Sequence, residues 1–198
     1  NSFGNTKIIE QHKSRDHTEN MLLHNSQIIK IDNKQKKIIT IHGKNFLNPS
    51  KIFVPNDPSS AAFFSALTLL NKSSTLKIKN VGLNPTRTGF YKQKKKQGAK
   101  IKFNNLKKIN NELQGDIIIK SSNLKPLNAS KFYYTNMTDE YPILFVMASL
   151  IKGTSTFRGI NDLTNKESNR VIEMQKILSQ VNIRSKYSNG ELKIFGRG

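Results

Sequence analysis

Apolar and polar positions alternate along the chain in two periods, which divide it into helices and strands. Helices are predicted where apolar residues recur every three or four positions behind a capping residue. The predicted helices are Ser14–His24, Asp57–Leu70, Thr86–Gln97, Asp139–Ile151 and Thr164–Gln180. Strands are predicted where apolar and polar residues alternate singly. The predicted strands are Ile28–Ile31, Lys37–Ile41, Thr75–Lys79, Ile101–Asn104, Asp116–Lys120, Thr154–Arg158, Val181–Tyr187 and Glu191–Phe195.

One stretch of the pattern occurs twice. The segment DPSSAAFFSALTLLNKSSTLK, which begins at Asp57, parallels DEYPILFVMASLIKGTSTFR, which begins at Asp139, at an offset of roughly 80 residues. Each copy is predicted to contain a helix, a strand, a second helix and two further strands. The first 50 residues resemble the tail of a third copy. Repeated units that each bury one face of a helix predict a layered α/β (α+β) domain.

A boundary is expected near Phe53–Asn56, where Pro and small polar residues interrupt the pattern. We therefore expect residues 1–54 to be the last unit of one domain. Residues 55–198 are then expected to hold about two units of a second domain.

The formal net charge of +20 has two interpretations. It favours a nucleic-acid partner if the cations cluster on one surface. It also fits a chain rich in Lys, Asn and Ile together, residues favoured by A/T-rich codons, whose lysines cover solvated faces. The runs Lys34–Lys37 and Lys92–Lys96 contain no aromatic residues for stacking on bases, which favours the second interpretation.

Several classes of protein do not fit the sequence. It has no cysteine, which excludes disulfides and thiolate metal sites, and its four histidines, His12, His17, His24 and His42, are scattered and form no metal pair such as H-x-x-x-H. No metal and no cofactor is therefore expected. The apolar run Tyr141–Ile151 is shorter than the roughly 18–20 residues that cross a bilayer. The first residues contain neither an initiator Met nor the apolar segment of a signal peptide, so we expect them to be the interior of a longer chain.

The predicted helix start at Thr164 carries candidate chemistry. Thr164 and Glu167 have the spacing of a capping box, which by itself is a structural role. Lys166 would lie in the first turn, against the positive end of the helix dipole, and Arg170 would lie on the same face. An anion held between the two cations and the N-terminal amides would relieve both penalties. A solvated pair without function remains the alternative.

Other helix starts also carry residues suited to anions or proton transfer. Asp139 can be an ordinary N-cap, or a carboxylate that accepts a hydroxyl proton beside the Lys166 site. Ser14 and Arg15 combine a hydroxyl with a guanidinium, an arrangement suited to phosphate. The segment NPTRTG at Asn84–Gly89 repeats that combination.

Five motifs in order resemble the bacterial 5-enolpyruvylshikimate-3-phosphate synthase (3-phosphoshikimate 1-carboxyvinyltransferase) family. They are SRDHTE at Ser14–Glu19, VPNDPSSAA at Val54–Ala62, LNPTRTG at Leu83–Gly89, TDEYPIL at Thr138–Leu144 and NKESNR at Asn165–Arg170. The resemblance implies βαβαββ units in the inside-out α/β barrel arrangement of enolpyruvyl transferases. It implies transfer of the enolpyruvyl group from phosphoenolpyruvate to the 5-hydroxyl of shikimate 3-phosphate, with release of phosphate. It further implies a cytoplasmic, monomeric enzyme of aromatic amino acid biosynthesis.

The resemblance also implies roles for single residues. Ser14, Arg15 and Lys166 match positions that hold the phosphate of shikimate 3-phosphate. Asp139 matches the carboxylate at the attacking hydroxyl. Glu167 matches the residue that moves the proton on the enolpyruvyl methylene, and Arg170 matches an arginine that binds phosphoenolpyruvate.

The chain departs from the family pattern in several places. Asn169 replaces the usual Asp of the KE[ST]DR motif, and Asp162 stands where some members carry a substrate-contacting Asn. The N-terminal lysine motif, the glycine-rich segment with its arginine, the Ser-Ser-Gln motif, the DHR segment and the final lysine are absent. We therefore expect a middle-to-C-terminal fragment that is inactive alone. A relative acting on UDP-N-acetylglucosamine and a basic nucleic-acid-binding module remain the alternatives.

Overall fold

A computed structural model describes residues 3–11, 14–23, 27–34, 36–49 and 51–198. This part of the chain holds five α-helices and ten strands arranged in three sheets. His12 and His24, two of the four histidines, lie outside the described residues. No helix in the described ranges is long and apolar enough to cross a membrane.

The first sheet contains three antiparallel strands in the order β1-β3-β2. They are β1 (Asn5–Glu10), β2 (Ile29–Asp32) and β3 (Lys37–His42), with helix α1 (His17–Leu22) between β1 and β2. The predicted strands Ile28–Ile31 and Lys37–Ile41 are confirmed as β2 and β3, which pair with Ile31 opposite Ile39. Strand β1 was not predicted, because its apolar pair Ile8 and Ile9 is adjacent rather than alternating.

The second sheet follows the same plan in the order β4-β6-β5. Its elements are α2 (Pro58–Leu70), β4 (Thr75–Gly82), α3 (Gly89–Lys96), β5 (Lys100–Ile109) and β6 (Glu112–Lys120). The third sheet has the order β7-β8-β10-β9. Its elements are β7 (Asn128–Ala129), α4 (Tyr141–Ser149), β8 (Gly153–Arg158), α5 (Arg170–Gln180), β9 (Ser185–Ser188) and β10 (Glu191–Gly196).

The three sheets confirm the predicted repeat. In each sheet the last strand of the unit, β3, β6 or β10, lies between the two strands that precede it in the chain. Strand β7 pairs in parallel with β8 at the edge of the third sheet, and Asn56 forms the corresponding parallel bridge to Val81 of β4. The second and third units therefore each read βαβαββ, and the described part of the first unit reads βαββ.

Helices α2 and α4 are apolar on most of their surfaces, and they pack against each other and against their own sheets. An apolar helix of this kind is stable only when it is buried. Tyr141 and Phe145 of α4 contact Phe157 of β8 with ring centroids 6.1 Å and 4.9 Å apart. The main core therefore lies between the second and third units.

Some helix ends agree with the sequence. Asp57 caps α2 by accepting a hydrogen bond from the Ser60 amide at 2.7 Å. Gly98 follows α3 with φ of +95°, which a residue with a Cβ rarely adopts. However, α3 begins at Gly89 rather than Thr86. The Asn84 side chain accepts from the amide and hydroxyl of Thr86, which stabilises a turn at that point instead.

The predicted helix start at Thr164 is wrong. Thr164 lies in a 3₁₀ helix at Asn161–Asn165, and its hydroxyl donates to the carbonyl of Asn161. Helix α5 begins at Arg170, where Asn169 accepts from the Ile172 amide at 3.1 Å. The capping box was therefore placed five residues too early, because Asn169 is the stronger local cap.

The start of α4 differs in a similar way. A 3₁₀ turn at Thr138–Glu140 precedes the helix, and Pro142 lies in the first turn of α4. Asp139 is thus outside the α-helix, and its interpretation as the N-cap is wrong. Glu140 holds the N-cap position without making a side-chain cap.

Asp116 of β6 stabilises the middle of the second sheet. Both neighbouring strands bulge opposite this part of β6, between Ile78 and Val81 and between Asn104 and Lys107. The Asp116 carboxylate accepts from the Asn80 amide at 3.1 Å and the Asn105 side chain at 2.8 Å, and it pairs with Lys77 at 3.0 Å. These contacts lower the pKa of Asp116 to about 2, with Lys77 the largest cause. The bulges explain why β4 and β5 extend beyond the alternating segments of the sequence.

Candidate functional site

Candidate residues come from three loops that precede helices. Ser14 and Arg15 precede α1, Asp139 lies in the turn before α4, and Lys166 lies in the loop before α5. Glu167 lies in that same loop, and Arg170 is the first residue of α5. Each side chain is thus held at a helix start, where the main chain changes direction and is open to solvent.

Arg15 and Asp139 meet although 124 positions separate them in the chain. The Arg15 guanidinium donates to Asp139 Oδ2 at 2.6 Å. Both side chains remain partly exposed, at 40% and 43%. The pair therefore joins the first unit to the third and is open to a ligand.

A polar network beside α1 holds that helix against the second unit. The Asn84 side chain donates to Asp16 Oδ1 at 2.7 Å and to Glu112 Oε2 at 2.9 Å. The other oxygen of Glu112 contacts His17 Nδ1 at 2.8 Å and accepts from Asn20 at 3.0 Å. This network borders a cavity of about 270 Å³. It fixes the residues that directly follow Arg15, which explains how Arg15 can reach Asp139.

Lys166 has a carboxylate partner within its own loop. Its ammonium lies 3.1 Å from Asp162, which also accepts a hydrogen bond from the Tyr134 hydroxyl at 2.8 Å. The hydrogen bond from Tyr134 and then that from Lys166 lower the pKa of Asp162. Sequence reasoning named Asp162 only as a departure from the family pattern, and it missed the pairing of Asp162 with Lys166 and the role of Tyr134. The i,i+4 spacing of Asp162 and Lys166 was the available signal for the former.

Arg170 also has a local partner. Its guanidinium donates to Glu167 Oε2 at 3.0 Å, and the Glu167 side chain is 85% exposed. The hydrogen bond from the backbone amide of Glu167 itself is the largest cause of its lowered pKa, followed by Arg170. Both cations therefore have local carboxylate partners, so a bound anion is not needed to compensate their charges. Exposed pairs of this kind contribute little to stability, so a dianionic ligand can displace them.

Tyr134 connects the two loops. Burial, and then the hydrogen bond to Asp162, raise the pKa of its hydroxyl, while the charge of Arg170 opposes that rise. The carbonyl of Tyr134 accepts from the Thr138 hydroxyl at 2.8 Å, one residue before Asp139. Tyr134 therefore contacts both the turn that holds Asp139 and the Asp162 partner of Lys166.

Ser14 makes its contacts elsewhere. Its amide donates to Glu10 Oε1 at 3.0 Å, and its hydroxyl donates to the same oxygen. Glu10 in turn pairs with Lys37, 2.9 Å away, which also pairs with Glu19. The structure therefore joins Arg15 to Asp139, while Ser14 is engaged with β1.

The arrangement can bind an anion and accept a proton. Three cations, Arg15, Lys166 and Arg170, each lie beside an exposed carboxylate. Asp139 can act on a hydroxyl once Arg15 turns to an anionic ligand. Among the described residues, no group of three or more His, Asp or Glu side chains could hold a metal ion.

Comparison with known protein families gives a match over nearly the whole chain. The model of the family "EPSP synthase (3-phosphoshikimate 1-carboxyvinyltransferase)" matches residues 2–194. A curated 3-phosphoshikimate 1-carboxyvinyltransferase of Zymomonas mobilis is 39% identical over 184 residues, which are 92% of this chain and 41% of the relative. That of Petrotoga mobilis is 43% identical over 183 residues, which are 91% of this chain and 41% of the relative. The chain thus spans about two fifths of the length of these curated relatives.

Solved structures give the same result. EPSP synthase from Acinetobacter baumannii aligns with a TM-score of 0.87 at 32% identity, over 100% of this chain and 44% of that one. The enolpyruvyl transferase NikO from Streptomyces tendae aligns with a TM-score of 0.67 at 12% identity, over 98% of this chain and 43% of that one. At that identity NikO shows the likeness of the fold alone.

Proposed function

The chain belongs to the EPSP synthase (3-phosphoshikimate 1-carboxyvinyltransferase) family, and on that premise we propose that it forms part of an enolpyruvyl transferase. The whole enzyme would transfer the enolpyruvyl group from phosphoenolpyruvate to the 5-hydroxyl of shikimate 3-phosphate and release phosphate. We further propose that this enzyme is a cytoplasmic monomer of the shikimate pathway. The observation that carries the proposal is the contact of Arg15 with Asp139 across the units, together with Tyr134, which contacts both the turn of Asp139 and the Asp162 partner of Lys166.

Each candidate residue has a role that its chemistry allows. Asp139 would accept the proton of the attacking hydroxyl, and Arg15 would turn from Asp139 to the phosphate of shikimate 3-phosphate. Ser14 would assist there after leaving Glu10. Lys166 would hold phosphate as a point charge, while Arg170 would bind the phosphoenolpyruvate anion through two hydrogen bonds. Glu167 is highly exposed and would exchange a proton with the enolpyruvyl methylene.

The unit structure supports the proposed division into domains. Residues 1–54 would end the N-terminal domain, and residues 55–198 would provide two units of the C-terminal domain. Helix α2 keeps Phe63, Phe64 and Leu67 exposed at 50–63%. An apolar helix with one bare face fits a domain in which a further unit covers that face.

The chain alone is expected to lack turnover, because several motifs that the family uses for both substrates are absent from it. The test is phosphate release from phosphoenolpyruvate plus shikimate 3-phosphate, with the Zymomonas mobilis synthase as positive control. The proposal predicts no release above background by the 198-residue chain. Turnover near that of the control would contradict the proposal that this chain contains only part of the active site.

A paired substitution separates the enzyme from a nucleic-acid-binding module. Replacing Lys166 and Arg170 by Ala should weaken binding of phosphoenolpyruvate by about tenfold or more, since two charge-assisted contacts are lost. Binding of a generic DNA duplex should change little, because most of the cations remain. Replacing Lys176, an exposed lysine paired with Glu173 on α5, by Ala is the matched control. Loss of DNA binding with phosphoenolpyruvate binding intact would favour the nucleic-acid interpretation.

A further inference from the structure

Glu140 occupies a helix N-cap position without acting as a cap. The residue at the N-cap of α2 in the preceding unit is Asp57, whose carboxylate accepts from the Ser60 amide at 2.7 Å. At α4 the N-cap residue is Glu140, and its side chain accepts no hydrogen bond from the first turn. The second and third units therefore differ at one equivalent position, directly after the candidate base Asp139.

The Glu140 side chain points inward instead, toward the start of α2. Glu140 is 2% exposed, and the hydroxyl of Ser59 is close enough to lower its pKa. The same hydroxyl accepts from Arg87 Nη2 at 2.8 Å, and Arg87 also pairs with Asp57 at 2.7 Å. Since a hydroxyl can accept one hydrogen bond and donate another, Ser59 is able to link the guanidinium to the buried carboxylate.

Burying this carboxylate is unfavourable by itself. Burial is the largest cause of the raised pKa of Glu140, and the Ser59 hydrogen bond offsets only part of it. A neutral or capping residue would avoid that penalty at the same site. A buried carboxylate at a position where another residue would stabilise the fold better is typical of a functional site.

The two carboxylates of the turn lie in opposite directions. Asp139 is 43% exposed and faces Arg15, while Glu140 is anchored between the units. We infer that Glu140, through Ser59 and Arg87, is a positioning residue that fixes the Thr138–Glu140 turn so that Asp139 meets the attacking hydroxyl. This inference rests on the proposed function, since it assigns a support to its candidate base.

The test compares two ligands that differ only at the attacking hydroxyl. Calorimetry measures binding of shikimate 3-phosphate and of its 5-deoxy analogue to the 198-residue chain. If Asp139 contacts the hydroxyl, the unaltered chain should prefer shikimate 3-phosphate by about tenfold or more, as expected for a hydrogen bond to a charged group. Glu140→Ala should bring that preference close to one and leave the affinity for the deoxy analogue within about twofold, because only the position of Asp139 changes.

Two further variants separate positioning from general damage. Glu140→Gln keeps the length of the side chain and an acceptor for Ser59, so it should retain most of the preference. Ser59→Ala removes the link and leaves the carboxylate in place, so it should lose the preference even if Glu140→Ala does not fold. Glu173→Ala, at an exposed position on α5, is the matched control and should change neither affinity.

Three results would overturn the inference. One is an unchanged preference in Glu140→Ala or Ser59→Ala. Another is an equal loss of affinity for both ligands, which would indicate a structural role only. If the unaltered chain shows no preference, then Asp139 lacks its proposed role, and the proposed function and this inference fail together at that residue.

Discussion

Asp139 and Glu140 are adjacent in the chain, yet one lies at the surface and the other in the interior. The difference arises because a 3₁₀ turn precedes α4 and directs successive side chains to different sides. The motif TDEYPIL indicates that both residues begin a helix, but no periodicity in the sequence reveals that Glu140 is buried. The hydroxyl that partly offsets the rise in the pKa of Glu140 belongs to Ser59, which lies 81 positions earlier.

Lys94 is a lysine that the fold places in the interior rather than on the surface. It counts toward the formal charge of +20, yet it is 1% exposed and donates to Gln97 Oε1 at 2.8 Å. Burial lowers the pKa of its ammonium to about 7. At neutral pH this lysine is therefore partly uncharged, and it belongs to the core rather than to a basic surface.

Asp116 gives a prediction that depends on pH. Its folded pKa of about 2 lies below the ordinary value of 3.8, so its contribution to stability is present above pH 4 and is lost as the pH falls toward 2. Asp116→Asn should therefore lower the free energy of unfolding at pH 7, and the difference from the unaltered chain should shrink at pH 3. Urea unfolding at pH 7, 5 and 3 measures it, with Glu173→Gln as control. A difference that is independent of pH would contradict the ionic role.

At the scale of elements, the start of α5 tests which residue caps the helix. Asn169→Ala should lower the free energy of unfolding by about 1 kcal/mol, because the Ile172 amide loses its acceptor. Thr164→Ala removes only a hydroxyl contact within the preceding 3₁₀ helix and should have a smaller effect. Urea unfolding of both variants gives the comparison. A larger loss of stability in Thr164→Ala than in Asn169→Ala would indicate that the helix begins at Thr164.

The lysines of edge strands explain part of the basic composition. Strand β5 lies at the edge of its sheet and carries exposed lysines at 100, 102, 107 and 108. Lysines on an edge strand oppose pairing with another chain, so they need no nucleic-acid partner.

Lys95 and Lys96 lie over Phe103 and Tyr133 at 4.8 Å from the ring centroids. The run Lys92–Lys96 therefore has aromatic neighbours, which come from other elements of the fold.

Most elements could be predicted because their signals are local. The alternation of Ile residues predicted β2 and β3, and Asp57 with Pro58 predicted α2. Local signals misplaced α5 because Thr164 and Asn169 are both acceptable caps, and only the 3₁₀ helix at Asn161–Asn165 decides between them. The bulges opposite Asp116 depend on contacts between strands, so β4 and β5 were predicted too short.

At the scale of the whole molecule, the repeat could be predicted and the details of the site could not. An offset of roughly 80 residues between matching segments was enough to infer equivalent units. The partners of the cations were missed: Asp162 for Lys166 and Glu167 for Arg170 lie nearby, but their geometry depends on the loop before α5. The contact of Arg15 with Asp139 depends on how the first and third units pack, which no local pattern encodes.

The proposed function requires that Arg15, Asp139, Lys166 and Arg170 form one wall of a ligand site. The most direct measurement is calorimetric binding of shikimate 3-phosphate to the 198-residue chain and to the double variant Arg15→Ala with Lys166→Ala. We predict measurable binding by the unaltered chain and an affinity about tenfold or more lower in the double variant, since two charge-assisted contacts are lost. Lys176→Ala, the control, should stay within about twofold of the unaltered chain. Equal affinity of the double variant and the unaltered chain, or no binding by either, would contradict the account.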